Sequence, residues 1–290
     1  MNKLSMLVIH IFLLLMVGFS AQVGAYDEKD VEKLKTIGVC PSCDLSEANL
    51  EGADLSRANL EGANLKGANL FKANLYKADL KGANLERADL EGVRLWFANL
   101  EGAYLEWANL NGANLSGTNL TGANLLLAIL TGADLSGADL EGADLIKAHL
   151  TGAVLFRANL EGANLSEANL TGADLYEANL SGAKLKSANL WKADLKGANL
   201  EGADLKGVRL RKTNLEGVNL YKADLKGVRL WEANLEGANL KGANLEGADL
   251  KGANLEGADL ETAKMKNAKM KGAILCNTTM PDGSILYSGC

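Results

Sequence analysis

The chain has 290 residues, 48% of them hydrophobic, and carries 30 Lys+Arg against 36 Asp+Glu for a net charge of −6. This mildly acidic, well-mixed balance gives no basic footprint for nucleic acid. Two histidines and two prolines leave little material for acid–base chemistry.

Residues 1–25 read as a secretory signal peptide. Lys3 is the lone basic residue, Leu7 to Val17 is an almost unbroken apolar run, and Val23-Gly24-Ala25 offers small residues before Tyr26. The run is shorter than the roughly 20 residues of a membrane span. Cleavage is expected after Ala25, or after Ala21, leaving no membrane anchor. Residues 26–42 are expected to form an N-terminal helix and cap. Over Asp27 to Gly38, Val31, Leu34 and Ile37 share a face at spacing three, and Asp27 suits an N-cap. This segment is expected to cover the exposed N-terminal end of the domain that begins at Cys43. Cys40-Pro41-Ser42-Cys43 has the spacing of a redox motif, but the strand-crossover-helix setting of a thioredoxin is missing.

From Leu45 to Leu275 every fifth residue is Leu, apart from Met265 and Met270. Two residues earlier stands Ala, replaced only by Cys43, Val93, Thr118, Val208, Thr213, Val218 and Val228. Between them lies mostly Asn or Asp, as in Ala53-Asp54-Leu55. In a helix, five residues advance about 500°, so such leucines would dress every face. In a straight strand an odd period flips each Leu to the opposite side. Ala and Leu stay inside together only if the chain extends briefly and turns every five residues. Gly52, Gly62 and Gly67 sit where such a corner needs permissive backbone.

The run A-[DN]-L-x-x, repeated over residues 43–275, resembles the pentapeptide-repeat proteins. The resemblance implies an all-β solenoid, a right-handed quadrilateral β-helix with four pentapeptides per coil. About twelve coils at ~4.8 Å each make a rod about 55 Å long. Lys206-Gly207-Val208-Arg209-Leu210 recurs intact at 226–230, one 20-residue coil later. Stacking of coils must carry the stability, so the ends need caps; residues 276–290 form the C-terminal one. The Cys-Pro-Ser-Cys head and the tail from Cys276 resemble those of secreted family members. On such a rod the two pairs lie at opposite ends, which implies local disulfides Cys40–Cys43 and Cys276–Cys290 and no four-cysteine zinc site.

With 20-residue coils, outward residues stack as columns. A mid-rod apolar region is the first candidate for partner binding: Trp96, Phe97, Trp107, Leu126, Leu127, Ile129, Ile146 and Phe156, with Val154 beside them. Tyr76 lies below Trp96 and Tyr176 above Phe156, and packing of neighbouring corners accounts for such pairs equally well. The second candidate is the ladder Trp191, Arg211, Trp231, either a cation–π staple or a carbohydrate or peptide platform. Arg209 and Arg229 stack as like charges, with Glu232 placed to offset them. Lys186, Lys206 and Lys226 share one corner, and Glu216, Glu236 and Glu256 the opposite one. Thr131, Thr151 and Thr171 make one short rank, too narrow for an ice-binding face. His149 stands alone, and stacked carboxylates such as Asp204/Asp224 lie on a convex wall without a cleft.

The expected function is a non-catalytic secreted structural or protein-interaction scaffold of the periplasm or exterior, without cofactor or metal. Its partner would be a protein or an envelope component. Some cytoplasmic pentapeptide-repeat proteins resemble duplex DNA and bind topoisomerases. The leader, the paired cysteines and the interspersed lysines argue against that alternative. A surface module for carbohydrate or peptide at the Trp ladder is the other.

Overall fold

Leu45 to Ala48 shows how the chain absorbs an odd period. The Ala48 N–H donates to the Leu45 carbonyl at 3.1 Å, and Glu47 between them has φ 57°. An i→i+3 bond with positive φ at the third residue is the type II turn arrangement. Glycine fills that third position without strain at Gly52 (φ 61°), whereas Arg57 (φ 60°) adopts the same backbone at a cost of roughly 1–2 kcal/mol. The turn recurs every five residues from Cys40 to Ala273 of the computed structural model, which describes residues 26–290. The expected signal peptide, 1–25, lies outside the described residues.

Between turns the chain is extended and pairs in parallel with the residue 20 positions on, from Val39↔Asn59 to Asp259↔Thr279. Twenty residues are four pentapeptides, so each coil has four walls and four corners. Leucines and small residues fill the interior: Leu100, Ala103, Leu145 and Ala148 are all 0% exposed. Threonine enters the small position at Thr118 and Thr213 because its hydroxyl finds a carbonyl inside. Thr118 Oγ1 donates to Leu95 O and Thr213 Oγ1 to Leu190 O, both at 2.9 Å.

The Asn or Asp of each unit serves two purposes on the wall. Its Oδ1 accepts the amide two residues on, as from Glu51 to Asn49 at 3.2 Å. Where Asn lies in the later coil, Nδ2 also donates to the earlier coil, as from Asn64 to Asp44 at 3.0 Å. The ladder residue thus fixes both the corner and the stacking register.

The repeat geometry runs one unit further at each end than the sequence pattern indicates. Val39 already pairs with Asn59, and Cys40 occupies a leucine site while Cys43 occupies an alanine site, both buried. At the other end Thr278, Thr279 and Met280 continue the pattern, with Thr279 paired to Asp259 and Thr278 Oγ1 donating to Leu255 O at 2.7 Å. Substitution of Cys, Thr and Met for Ala and Leu hides these units from a reading by residue type.

Helix α1 (Glu28–Ile37) precedes the ladder. The Asp27 carboxylate accepts the Lys29 amide at 2.9 Å, and Gly38 ends the helix in the left-handed conformation. The helix joins the first coil through Asp30 Oδ2, which accepts the Asp44 amide at 2.9 Å, and through the Asp27 amide to Asp44 O at 3.1 Å. Of the expected apolar face, Leu34 is buried and Val31 packs against the core. Ile37, at 63% exposed, does not join it. The chain ends in an antiparallel hairpin of β1 (Leu275–Thr279) and β2 (Ile285–Ser288). The disulfides are Cys40–Cys43 and Cys276–Cys290, both bonded.

Candidate functional site

The 20-residue register assigns every outward side chain to a wall or corner, and it divides the apolar residues singled out in the sequence. Trp107, Leu126, Leu127 and Ile146 share one corner. The Trp107 N–H donates to Leu126 O and the Leu127 N–H to Ile146 O, both at 3.0 Å, so three successive coils contribute. Ile129, 42% exposed, flanks that corner on the next wall, and Tyr104, 55% exposed, flanks it on the preceding one. Trp107 itself is 52% exposed. The Lys147–Glu167 ion pair (3.6 Å) bounds this patch on the later coils, and Glu86 with Lys66 (2.9 Å) on the earlier ones.

Trp96, Phe97 and Phe156 do not belong to it. They stand ten residues, or half a coil, out of phase, on the diagonally opposite corner. There Trp96 packs on Tyr76 with ring centroids 5.3 Å apart, and Phe156 stacks on Tyr176 at 5.8 Å. Ser116-Gly117 and Ser136-Gly137 separate the two pairs on that corner. Phe97 lies against Gly117, where a β-carbon would meet its ring at 2.6 Å. Val154 is half-buried on the wall before that corner. The expected single mid-rod patch is therefore three groups, because nearness along the chain is not nearness in azimuth.

The second candidate is more than a ladder. Trp191, Arg211 and Trp231 do stack on one corner, but Arg211 faces only Trp231, 6.0 Å from its centroid, while Lys192 covers Trp191 at 4.6 Å. On the adjoining wall Asn189, Arg209 and Arg229 form consecutive rungs. Together these six residues line an open cleft of ≈ 360 Å³. Glu232 does not offset the wall arginines as expected. Its carboxylate is held by Lys212 at 3.4 Å and Arg211 at 3.9 Å. Among the described residues no acid pairs with Arg209 or Arg229. Asp249, one rung beyond Arg229, is 9% exposed and turned to other groups. Its burial opposes ionisation, but the Trp231 indole, the Lys251 amide and the Lys251 ammonium outweigh that and hold its carboxyl below the ordinary range. The Trp231 Nε1–H is buried without a hydrogen bond of full geometry.

Charge elsewhere is matched across coils. Lys206 clamps both Asp204 (3.7 Å) and Asp224 (3.0 Å), which resolves the stacked carboxylates. Lys196 meets Glu216 at 3.0 Å and Lys226 meets Glu246 at 3.3 Å, so Lys206 and Lys226 of the expected lysine column and Glu216 of the expected glutamate column are ion-paired. The threonine rank is tied sideways: Thr171 Oγ1 donates to Asn169 Oδ1 at 2.7 Å and accepts Asn189 Nδ2 at 2.9 Å. Asp30, Cys40 and Cys43 come within 4.8 Å of one another, but the two sulfurs are joined and offer no thiolate to a metal.

The family description that matches the chain is pentapeptide repeats (8 copies), in overlapping stretches from 43–82 to 243–280. Among solved structures, the chain is similar to HetL, a pentapeptide repeat protein involved in heterocyst differentiation regulation in the cyanobacterium Nostoc. The two are 38% identical over 75% of this chain and 91% of that one, with a TM-score of 0.29. A trypsin-treated form of QnrB1, a plasmid-mediated fluoroquinolone resistance protein, is 19% identical over 66% of this chain and 89% of that one, with a TM-score of 0.43. A pentapeptide repeat protein of the Arabidopsis thaliana thylakoid lumen is 28% identical over 47% of this chain and 71% of that one, with a TM-score of 0.16. No curated protein matches the sequence.

Proposed function

The chain belongs to the pentapeptide-repeat family, whose fold is the right-handed quadrilateral β-helix, and from that premise we propose that it is a non-catalytic, exported interaction scaffold. It is a rod of about twelve coils, closed by α1 at one end and the β1–β2 hairpin at the other, that presents its side to a protein of the cell envelope or exterior. The observation that carries this reading is the corner patch of Trp107, Leu126, Leu127, Ile129 and Ile146. These positions are outward in a fold whose interior is already filled, so their apolar character serves nothing inside. A contiguous apolar surface rimmed by charge is the usual signature of a docking face, and Trp is favoured at its centre.

Export is supported by the apolar leader and by two disulfides, which persist in oxidising compartments. A catalytic role has little support: His149 is exposed on a wall, and wall acids such as Asp174 and Asp139 are held by a corner amide or by an asparagine of the next coil. DNA mimicry has less, because lysines are interspersed among the acids and pair with some of them across coils.

The test is a triple variant, Trp107→Ser with Leu127→Gln and Ile146→Ser, compared with Trp96→Ser/Phe97→Ser. The first is expected to keep the parent's melting temperature and circular-dichroism spectrum and to lose crosslinking to envelope partners; the second is expected to keep its crosslinks. Retained crosslinking by the triple variant removes the patch from the function. A large drop in its melting temperature makes the patch a structural seam.

A further inference from the structure

The cleft around Arg209 and Arg229 lies on another corner from the apolar patch and does not depend on it. In the wall column, Asn189 still donates to Asn169 Oδ1 at 3.4 Å. The next two rungs are arginines, which cannot accept a corner amide and leave two exposed guanidiniums one above the other. Like charges stacked in this way repel, and no acid among the described residues neutralises them. The ladder around them is stretched. Leu210 N–H reaches Arg229 O at 3.2 Å, against 2.7 Å for Leu110 to Ile129 on the same wall, and Lys192 N–H reaches Arg211 O at 3.3 Å, against 3.0 Å for Gly112 to Thr131 at the same corner. Beside the arginines stand two indoles two coils apart, Trp191 at 41% exposed and Trp231 half-buried.

We propose that this cleft binds an acidic glycan, a chain of uronate-type sugars lying along the rod axis. Guanidinium forks match carboxylates, and indole faces take the C–H faces of pyranose rings. The two wall arginines lie one coil apart, at about 4.8 Å, so a single uronate carboxylate can bridge their guanidiniums. The exposed Trp191 indole in the same cleft favours a sugar ring over an acidic peptide side chain. Arg209 and Arg229 supply the charge, since Arg211 is engaged by Glu232 and Trp231, and the exposed Trp191 supplies the platform. Occupation would relieve the repulsion between Arg209 and Arg229 and draw the stretched rungs together.

Tetragalacturonate, titrated by calorimetry into the intact mature protein at low salt, is expected to bind saturably and at least tenfold more tightly than neutral cellotetraose or tetraglutamate. Raising salt to 0.5 M should weaken it strongly. Arg209→Gln/Arg229→Gln should lower affinity at least tenfold while leaving the melting temperature unchanged or raised, since the variant removes a repulsion. Arg94→Gln, a ladder arginine on another wall, should bind as the parent does. Trp191→Ala should also lose affinity with every arginine present, which a bare anion site would not. Absence of saturable binding, parental affinity in the double arginine variant, or equal affinity for tetraglutamate overturns the proposal.

Discussion

At the residue scale, the fold is decided by one backbone position in five. The second corner residue must take positive φ, which explains Gly there and shows what a side chain at that place encounters. Gly117 and Gly137 have nearly the same φ, 63° and 62°, but a β-carbon on Gly117 would strike Phe97 while one on Gly137 meets nothing within 4 Å. Gly137→Ala should cost roughly 1–2 kcal/mol from backbone strain alone. Gly117→Ala should cost measurably more, and Phe97→Ala should abolish the excess in a double-mutant cycle read by chemical denaturation. Equal costs for the two glycines would mean that Phe97 rests elsewhere in solution. Inward and outward residues were legible from Ala and Leu alone. The azimuth of Trp96 against Trp107 was also present in the sequence, as their separation modulo 20, but visible only once each residue was assigned to its corner. The isolation of Arg209 and Arg229 was not legible, since Glu232 is close by in sequence and only side-chain geometry shows it occupied by Lys212 and Arg211.

At the scale of elements, the two ends differ in how they are closed. The Cys40–Cys43 bridge sits within the core sites of the first unit, whereas Cys276–Cys290 ties β1 to the tail beyond β2 across a separation of 14 residues. Closing a loop of that size contributes about 3 kcal/mol in the chain-entropy view. Cys276→Ser/Cys290→Ser should therefore fray the hairpin and the last rungs. Amide exchange measured by mass spectrometry should accelerate at Leu260 and Thr279, where Leu260 N–H donates to Thr279 O across the final coil, and stay unchanged at Leu145. Exchange at all three amides as slow as in the parent would show that the hairpin holds without its bridge. The helix was readable from Asp27, Gly38 and its spacing; the extra units at 39–42 and 276–280 were not, because Cys, Thr and Met stand in for the usual residues.

At the scale of the whole molecule, electrostatics is a lattice of small terms whose signs agree. Hydrogen bonds from Ser46, Ser56 and Ser284 hold Asp44, Asp54 and Asp282 below the ordinary carboxylate range, and Lys66 and Arg157 do the same for Glu86 and Glu177. Glu216, Asp224 and Glu261 raise Lys196, Lys206 and Lys241. The depressed acids give stability that is complete above their unfolded values and lost as pH falls through the lower folded ones. The raised lysines give stability that is complete below their unfolded value and lost as pH climbs through the higher folded ones. A plateau in melting temperature from about pH 5 to 9 is expected, declining on both sides and flattened by salt. Each pair is exposed, so the declines should be gentle. A melting temperature that peaks at the isoelectric point, ≈ 5.2, and falls by pH 8 would contradict this balance.

The constant coil of twenty makes the chain behave like a screw with four stops. Five residues inserted into the ladder would swing everything beyond them by a quarter revolution, leaving the core intact but moving the arginine cleft relative to the apolar patch. Twenty would restore the bearing and merely lift the two apart by one thread of about 4.8 Å. A number that is not a multiple of five would jam the leucines out of the interior. Surface features on this rod are thus set by remainders rather than by distance, and lineages can change length without turning one feature against another only in whole turns. The identical runs at 206–210 and 226–230 stand one whole turn apart, and that is what puts one arginine directly above another.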